Sequence, residues 1–179
     1  GYLQLDRDTV AHTAWLASVA SPPFDRGSLI EMPRSWIVEP PVVFMHGRGE
    51  YYLRPLSMND LSGLYEIDSH SEATRFMQWG PHSGLASTQA FIERAAADRW
   101  FALADAVTDR LIGYGEIRFL DESAYGVQIA GLTYVIRPIY WGQGYGTKLL
   151  LELVETASSI FDFDAFQIAI DTEHHASLR

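Results

Sequence analysis

From Tyr134 to Lys148 the chain reads Tyr-Val-Ile-Arg-Pro-Ile-Tyr-Trp-Gly-Gln-Gly-Tyr-Gly-Thr-Lys. Gly142, Gly144 and Gly146 alternate just before a segment whose apolar residues recur at helical spacing, so a β-branched strand passes through a tight turn into a helix. A helix start leaves backbone N–H groups without acceptors, and the macrodipole adds partial positive charge there, which suits a phosphate or pyrophosphate. Glycine lets the backbone approach such a ligand and take positive φ. The same turn would also serve a plain chain reversal, and the glycines alone do not separate the two. A second pair with chemistry, His174 and His175, invites a metal reading. Neighbours on an extended segment point to opposite faces and no third ligand is close in sequence, so no metal site is expected.

The remaining composition narrows the classes. The 179 residues, 47% hydrophobic and 20% charged, fit one soluble globular domain with an appendage. A formal net charge of -10 argues against a broad nucleic-acid or anionic-membrane surface and favours a cationic substrate over an anionic one. The absence of cysteine removes disulfides, thiolate metal ligands and a cysteine nucleophile. No run approaches the roughly 20 apolar residues of a membrane span, and the first residues lack a signal-peptide pattern, so a cytoplasmic location is expected.

The elements that must position the glycine turn follow from the periodicity. Residues 1 to 49 form an extension: a short helix capped by Asp8 or Thr9 and running through Val19, a β-rich stretch from Trp36 to Met45 broken by Pro40-Pro41, and a turn at His46-Gly47-Arg48-Gly49. A strand from Glu50 to Arg54 stops at Pro55, and Ser57 with Asp60 makes a capping box for a helix to about Ile67. An aromatic, breaker-rich loop over residues 76–84 precedes a second helix from Ser87 to about Asp98. Strands then follow at 100–104, 111–120 and 127–137, with a turn at 105–110 and a polar link at 121–125. The helix after the glycines presents Leu149, Leu150, Leu153, Val154, Ala157, Ile160 and Phe161 on one face and Lys148, Glu152, Glu155 and Ser159 on the other. A last strand occupies 166–170. This order predicts an α/β fold with a mixed, mainly antiparallel sheet flanked by helices, and it places the glycine turn at the carboxyl end of the strand that opens the crossover, where such sheets bind ligands.

With that order in place, the chain from about residue 50 onward resembles the GNAT superfamily of acyl-CoA-dependent N-acyltransferases. The resemblance rests on Tyr134 to Thr147, supported by Leu53-Arg54-Pro55, Met77-Gln78-Trp79-Gly80-Pro81 and Leu111-Ile112-Gly113-Tyr114. Trp141 and Tyr145 are similar to the branch holding ribosomal-protein N-terminal acetyltransferases and some antibiotic and polyamine acetyltransferases. The resemblance implies an N-terminal extension over 1–49 and a GNAT-like acyl-CoA-binding domain over 50–179 that lacks the family's last helix and strands. The edge of the final strand is then expected to be covered by the extension or by a second protomer, as a homodimer or partner chain.

The resemblance also implies acetyl-CoA as co-substrate, lying between strands 127–137 and 166–170. Backbone groups of Tyr134, Val135 and Ile136 would hold the pantetheine arm and thioester, and Trp141, Gly142, Gln143, Gly144, Tyr145, Gly146 and Thr147 the pyrophosphate. His174 and Ser177 stand where the family carries Asn-x-x-Ser, with His replacing Asn. The activity implied is acetyl transfer to a primary amine of a small molecule or peptide. The alternative is a non-catalytic acyl-CoA-binding or interaction module. The amide near Tyr134 is the expected oxyanion donor, and Glu116, in the middle of an apolar strand, the first choice to take the amine proton, its other reading being an ion pair with Arg118. Asp121, Glu122, Glu66, Asp68 and Glu72 are candidates to hold a cationic amine, or surface charges. Trp79 and His82 line the acceptor pocket or plug the loop.

Overall fold

The computed structural model describes residues 2–6, 15–17, 46–47, 50–95, 99–122, 127–160 and 163–177. In chain order the strands are β1 (Tyr2–Asp6), β2 (Trp15–Ala17), β3 (His46–Gly47), β4 (Tyr51–Pro55), β5 (Trp100–Asp105), β6 (Leu111–Glu122), β7 (Val127–Ile136) and β8 (Ala165–Ala169). The helices are α1 (Leu61–Asp68), α2 (Ser71–Thr74), α3 (Leu85–Ala95) and α4 (Tyr145–Ile160). All eight strands join one sheet in the order β2-β1-β8-β7-β6-β5-β4-β3. Every pairing is antiparallel except β7 with β8, which the α4 crossover makes parallel. This is the mixed, mainly antiparallel α/β fold expected.

Period-two alternation along the meander sorts side chains between two cores. Ala102, Tyr114 and Val135 sit side by side across β5, β6 and β7 and pack with Leu56, Leu64, Ile67 and Ile92 under α1 and α3. Leu103 and Ile136 flank Gly113 on the other face, where Leu149, Leu153 and Ala157 of α4 are fully buried. Each buried leucine of that face contributes roughly 1.5–3 kcal/mol relative to exposure. α4 lies so close to the sheet that a Cβ on Gly115 would stand 2.7 Å from Leu153 Cδ1 and 2.6 Å from the Thr133 carbonyl. Glycine is therefore required there by space.

Several boundaries differ from the sequence expectation. Where helical spacing predicts a helix through Val19, Trp15–Ala17 instead pairs with Gln4, Leu3 and Tyr2 of β1; ladder hydrogen bonds override a weak local preference. His46 and Gly47, expected in a turn, are strand residues paired with Leu53 and Tyr52. The stretch from Trp36 to Met45 lies outside the described residues. β6 continues through Asp121 and Glu122, because Gln128 and Val127 of β7 pair with them, so these two do not lie in a link. α3 begins at Leu85, with the Ser87 N–H bonded to the Gly84 carbonyl. Glu152, placed by helical spacing on the solvent face of α4, is 2% exposed, while Leu151 is the exposed residue of that turn. β1 runs along the outer edge of β8 from Tyr2↔Ala169 to Asp6↔Ala165, so the N-terminal segment covers the edge that would otherwise be open.

Candidate active site

β7 and β8 stay together only from Ile129↔Ala165 to Gly131↔Gln167, whereas β7 remains paired with β6 through Ile136. A cleft therefore opens between β7 and β8 beyond residue 131. Ladder geometry decides which backbone groups face it. The Arg137 N–H donates to the Ile112 carbonyl at 2.9 Å. Counting back along the register, Val135 and Tyr114 exchange both their bonds, while Tyr134 and Ile136 turn N–H and C=O away from β6 into the cleft. One of these groups is engaged: Trp141 Nε1 donates to the Ile136 carbonyl at 2.7 Å. The Tyr134 N–H and C=O and the Ile136 N–H are directed at the space where the thioester arm is expected; the Val135 groups belong to the ladder.

The glycine turn lies at the end of the same strand. Pro138–Tyr140 forms one 3-10 turn, and α4 starts at Tyr145. Gly142 and Gly144 have φ of 71° and 77°, in the left-handed region, and a Cβ on either would meet nothing within 4 Å. Their glycines are thus demanded by backbone conformation and not by crowding. Within α4 the first backbone bond runs from the Lys148 N–H to the Gly144 carbonyl at 3.1 Å, so the amides of Tyr145, Gly146 and Thr147 precede the helical ladder. Gly146 abuts β7: a Cβ there would touch Tyr134 Cε2 at 3.4 Å. Gln143 ties the turn to itself, its Nε2 donating to the Ile139 carbonyl at 2.9 Å. A turn of exposed amides at a helix entry, adjoining a strand with outward backbone groups, fits the pyrophosphate and pantetheine of acetyl-CoA.

On the α1 and α3 side of the cleft, the charged candidates are mostly committed. Glu116 pairs across β6 and β7 with Thr133, beside Tyr134, but its Oε2 lies 3.0 Å from Arg118 Nε, and Arg118 Nη2 donates to Thr133 Oγ1 at 3.1 Å. Arg137 engages Glu66, and Glu72 faces Arg75 at 3.8 Å. Asp121 and Glu122 are opposite Gln128 and Val127, at the far end of β7 from Tyr134, about 20 Å away along the strand. Trp79 is in the second core, its ring 5.8 Å from Phe91 and 5.9 Å from Trp100.

Asp68 is the group that sequence reasoning misplaced. Expected at the end of α1 as a holder of a cationic amine or a surface charge, it is fully buried and accepts the Tyr114 hydroxyl at 2.5 Å, with His82 Nδ1 3.6 Å from its other oxygen. His82 Nδ1 also meets Thr88 Oγ1 at 3.0 Å. Tyrosine on the apolar face of β6 opposite this helix end was the available signal, since a buried phenol needs a partner. Burial raises the Asp68 pKa above its usual range, outweighing the Tyr114 bond and the His82 field, which lower it. A carboxyl raised on folding binds its proton more tightly in the native state. Its stabilising contribution is present below the unfolded carboxylate pKa and lost as pH rises through the folded value. Against the non-titrating Asp68→Asn variant, wild type is therefore expected to lose relative melting temperature as pH rises above about 4, the unfolded carboxylate value. A gap that grows in favour of wild type over that range would show that the hydrogen bonds dominate instead.

His174 and Ser177 lie in the turn after β8. His174 is part-buried and stacked on Phe76 at 4.6 Å, and Ser177 Oγ lies 3.4 Å from His174 Nε2. Among the described residues no group of three or more His, Asp or Glu is placed to hold a metal ion, and no helix is long and apolar enough to cross a membrane.

In sequence, the Acetyltransferase (GNAT) domain family matches residues 51–179. No curated protein matches the chain. Among solved structures it is similar to a GNAT-family acetyltransferase from Bacillus anthracis at TM-score 0.64 and 13% identity, over 74% of this chain and 75% of that one. It is similar to the spermidine N-acetyltransferase from Vibrio cholerae, solved in complex with CoA and spermine, at TM-score 0.60 and 19% identity, over 72% and 76% of the two chains. A GNAT-family acetyltransferase from Streptococcus pneumoniae aligns at TM-score 0.53 and 21% identity, over 72% and 80%. At these identities the likeness is one of fold.

Proposed function

The chain belongs to the acetyltransferase (GNAT) family, and from that premise we propose that it moves an acetyl group from acetyl-CoA to a primary amine of a small molecule or peptide. The observation that supports this most is the continuity of the donor site: the cleft-facing groups of Tyr134 and Ile136 run directly into the positive-φ turn at Gly142 and Gly144. Residues 50–179 form the acyl-CoA-binding unit in this reading, with 1–49 as its extension. Trp141 and Tyr145 align it with the branch of ribosomal-protein N-terminal and antibiotic or polyamine acetyltransferases.

Acetyl-CoA supplies an activated acyl carbon, and the chain's work is alignment and charge. The amides from Gly142 to Thr147 hold the pyrophosphate. Ile136 N–H and the Tyr134 carbonyl orient the pantetheine arm. The Tyr134 N–H would donate to the thioester oxygen and stabilise the charge that gathers there during attack, an effect commonly worth roughly 3–4 kcal/mol. The net charge of -10 favours approach of a cationic amine.

The test is release of free CoA from acetyl-CoA with a panel of amines: spermidine, spermine, an aminoglycoside and peptides with free N-termini. Turnover with at least one is expected. Binding of acetyl-CoA with no turnover on any would favour the non-catalytic module.

A further inference from the structure

Beyond the end of β8, the chain is bridged to the α2 segment. Phe76, two residues past α2, stacks on His174 with ring centroids 4.6 Å apart and planes 20° from parallel. Arg75 lies over the same phenyl ring at 5.0 Å and reaches Glu173 at 3.6 Å. These contacts join the α2 segment, which packs against β7, to the turn that follows β8, the two strands that diverge to make the cleft. The imidazole is thus held between the α2 segment and the turn that follows β8.

Its hydrogen bonds leave a lone pair available. Ser177 Oγ lies 3.4 Å from His174 Nε2 and Nδ1 has no hydrogen-bond partner among the described residues, so the tautomer that carries its proton on Nε2 presents a lone pair at Nδ1. Burial pushes the imidazole below its usual pKa, and the nearby Asp171 opposes this. The other titratable groups on the two packed segments are His70, Glu72 and Arg75 on one and Glu173 and His175 on the other, with Arg75 3.8 Å from Glu72 and 3.6 Å from Glu173. A neutral imidazole is the form that can receive a proton near pH 7. The competing carboxylates are committed: Glu116 to Arg118, Glu66 to Arg137, and Asp68 to Tyr114 in a sealed core.

Resting on the acetyl-transfer reading above, we propose that His174 accepts the proton released by the acceptor amine. In this step the amine nitrogen forms its bond to the acyl carbon. The carbon–sulfur bond breaks with its electron pair on sulfur, and one N–H proton passes to His174 Nδ1. His174 then returns that proton to the thiolate, directly or through water. Where the family resemblance carries an Asn that only seats the cofactor, this chain has a group that can also titrate.

The experiment compares wild type with His174→Asn and His174→Gln, using spermidine or the best amine of the panel, and adds a 13C NMR titration of the histidine ring. His174→Asn is expected to keep acetyl-CoA Kd within threefold while kcat falls on the order of 100-fold at pH 7, the general-base range. The loss should shrink as pH rises and the amine deprotonates unaided. The His174 resonance should titrate below the ordinary histidine value. Unchanged kcat and pH profile in His174→Asn would overturn the proposal, as would a loss matched by an equal weakening of acetyl-CoA binding, which marks a cofactor seat alone. Titration at or above the ordinary value would also overturn it. Wild type that binds acetyl-CoA but acetylates no amine overturns the acetyl-transfer reading and this one together, whereas wild-type turnover that His174→Asn leaves intact overturns this one only.

Discussion

Replacing Gly142 and Gly144 together with alanine is expected to weaken acetyl-CoA binding by about 100-fold, equivalent to about 2.7 kcal/mol, while the melting temperature hardly moves. The two φ angles, 71° and 77°, lie where an L side chain costs roughly 1–2 kcal/mol per residue. Since nothing lies within 4 Å of either Cβ, the exposed turn can relax out of that region at little cost to folding. Relaxation redirects the amides between Gly142 and Thr147, and each charge-assisted bond lost to a phosphate is worth roughly 1.5–3 kcal/mol. The penalty thus falls on binding. Gly80→Ala and Gly84→Ala, where a Cβ also meets nothing within 4 Å and φ is not positive, are the matched controls and should leave Kd unchanged. Isothermal titration measures all of these. A double variant that binds acetyl-CoA within threefold of wild type would return the turn to the plain chain reversal that the glycines alone could not exclude.

That ambiguity shows what could be read from the chain. The meander, the crossover and α4 were legible because each depends on periodicity within ten or so residues, and Ser57 with Asp60 announced α1 through a local capping box. The cofactor turn was legible for the same reason: glycine at alternate positions before a helix encodes its own backbone geometry. Interactions between distant segments carried no such signal. Asp68 and Tyr114 are 46 residues apart, and a tyrosine on the apolar face of β6 signals only that a buried phenol needs a partner, not which residue supplies it. Pairing of β1 with β8 joins the first residues to the last strand, so Trp15–Ala17 was read by helical spacing when its conformation is set by a partner strand. Glu152 shows the converse: a correct helix whose buried arc is wider than its apolar stripe, so a polar residue lies inside. The split of β7 from β8 was implied only by the family resemblance, because periodicity marks strands but not the residue at which two of them part.

Asp60→Ala is expected to cost about 3 kcal/mol of folding stability, and on the order of 10 °C in melting temperature for a chain of this size. Asp60 is 3% exposed and takes Arg54 in a two-pronged pair, Nη1 to Oδ2 and Nη2 to Oδ1, each at 2.7 Å. The same carboxylate accepts the Ser57 N–H at 2.9 Å, closing the cap at the start of α1. The hydrogen bonds to Asp60 hold the Arg54 guanidinium above its ordinary pKa despite partial burial, which favours the uncharged form. Truncating Asp60 leaves that guanidinium, 15% exposed, with the exposed Asp109 at 3.0 Å and the Pro55 carbonyl at 3.3 Å, and strips the helix start of its acceptor. Asp109→Asn, which keeps a residue suited to the φ of 55° there and removes only the charge facing Arg54 and the Tyr52 hydroxyl, should cost less than about 1 kcal/mol. The pair Arg54→Met with Asp60→Leu should be milder than the sum of its single changes, because apolar neighbours leave no buried charge behind. The effect should also reach the site, since α1 ends in the Asp68 contact with Tyr114, and His70 just beyond lies 5.8 Å from the Trp141 ring. Loosening α1 at its start therefore frees the indole that covers the Ile136 carbonyl, and Asp60→Ala should weaken acetyl-CoA binding by severalfold at a temperature where the variant is still folded. Unchanged affinity alongside the full stability loss would mean that the far end of α1 is held by Asp68 and Tyr114 alone.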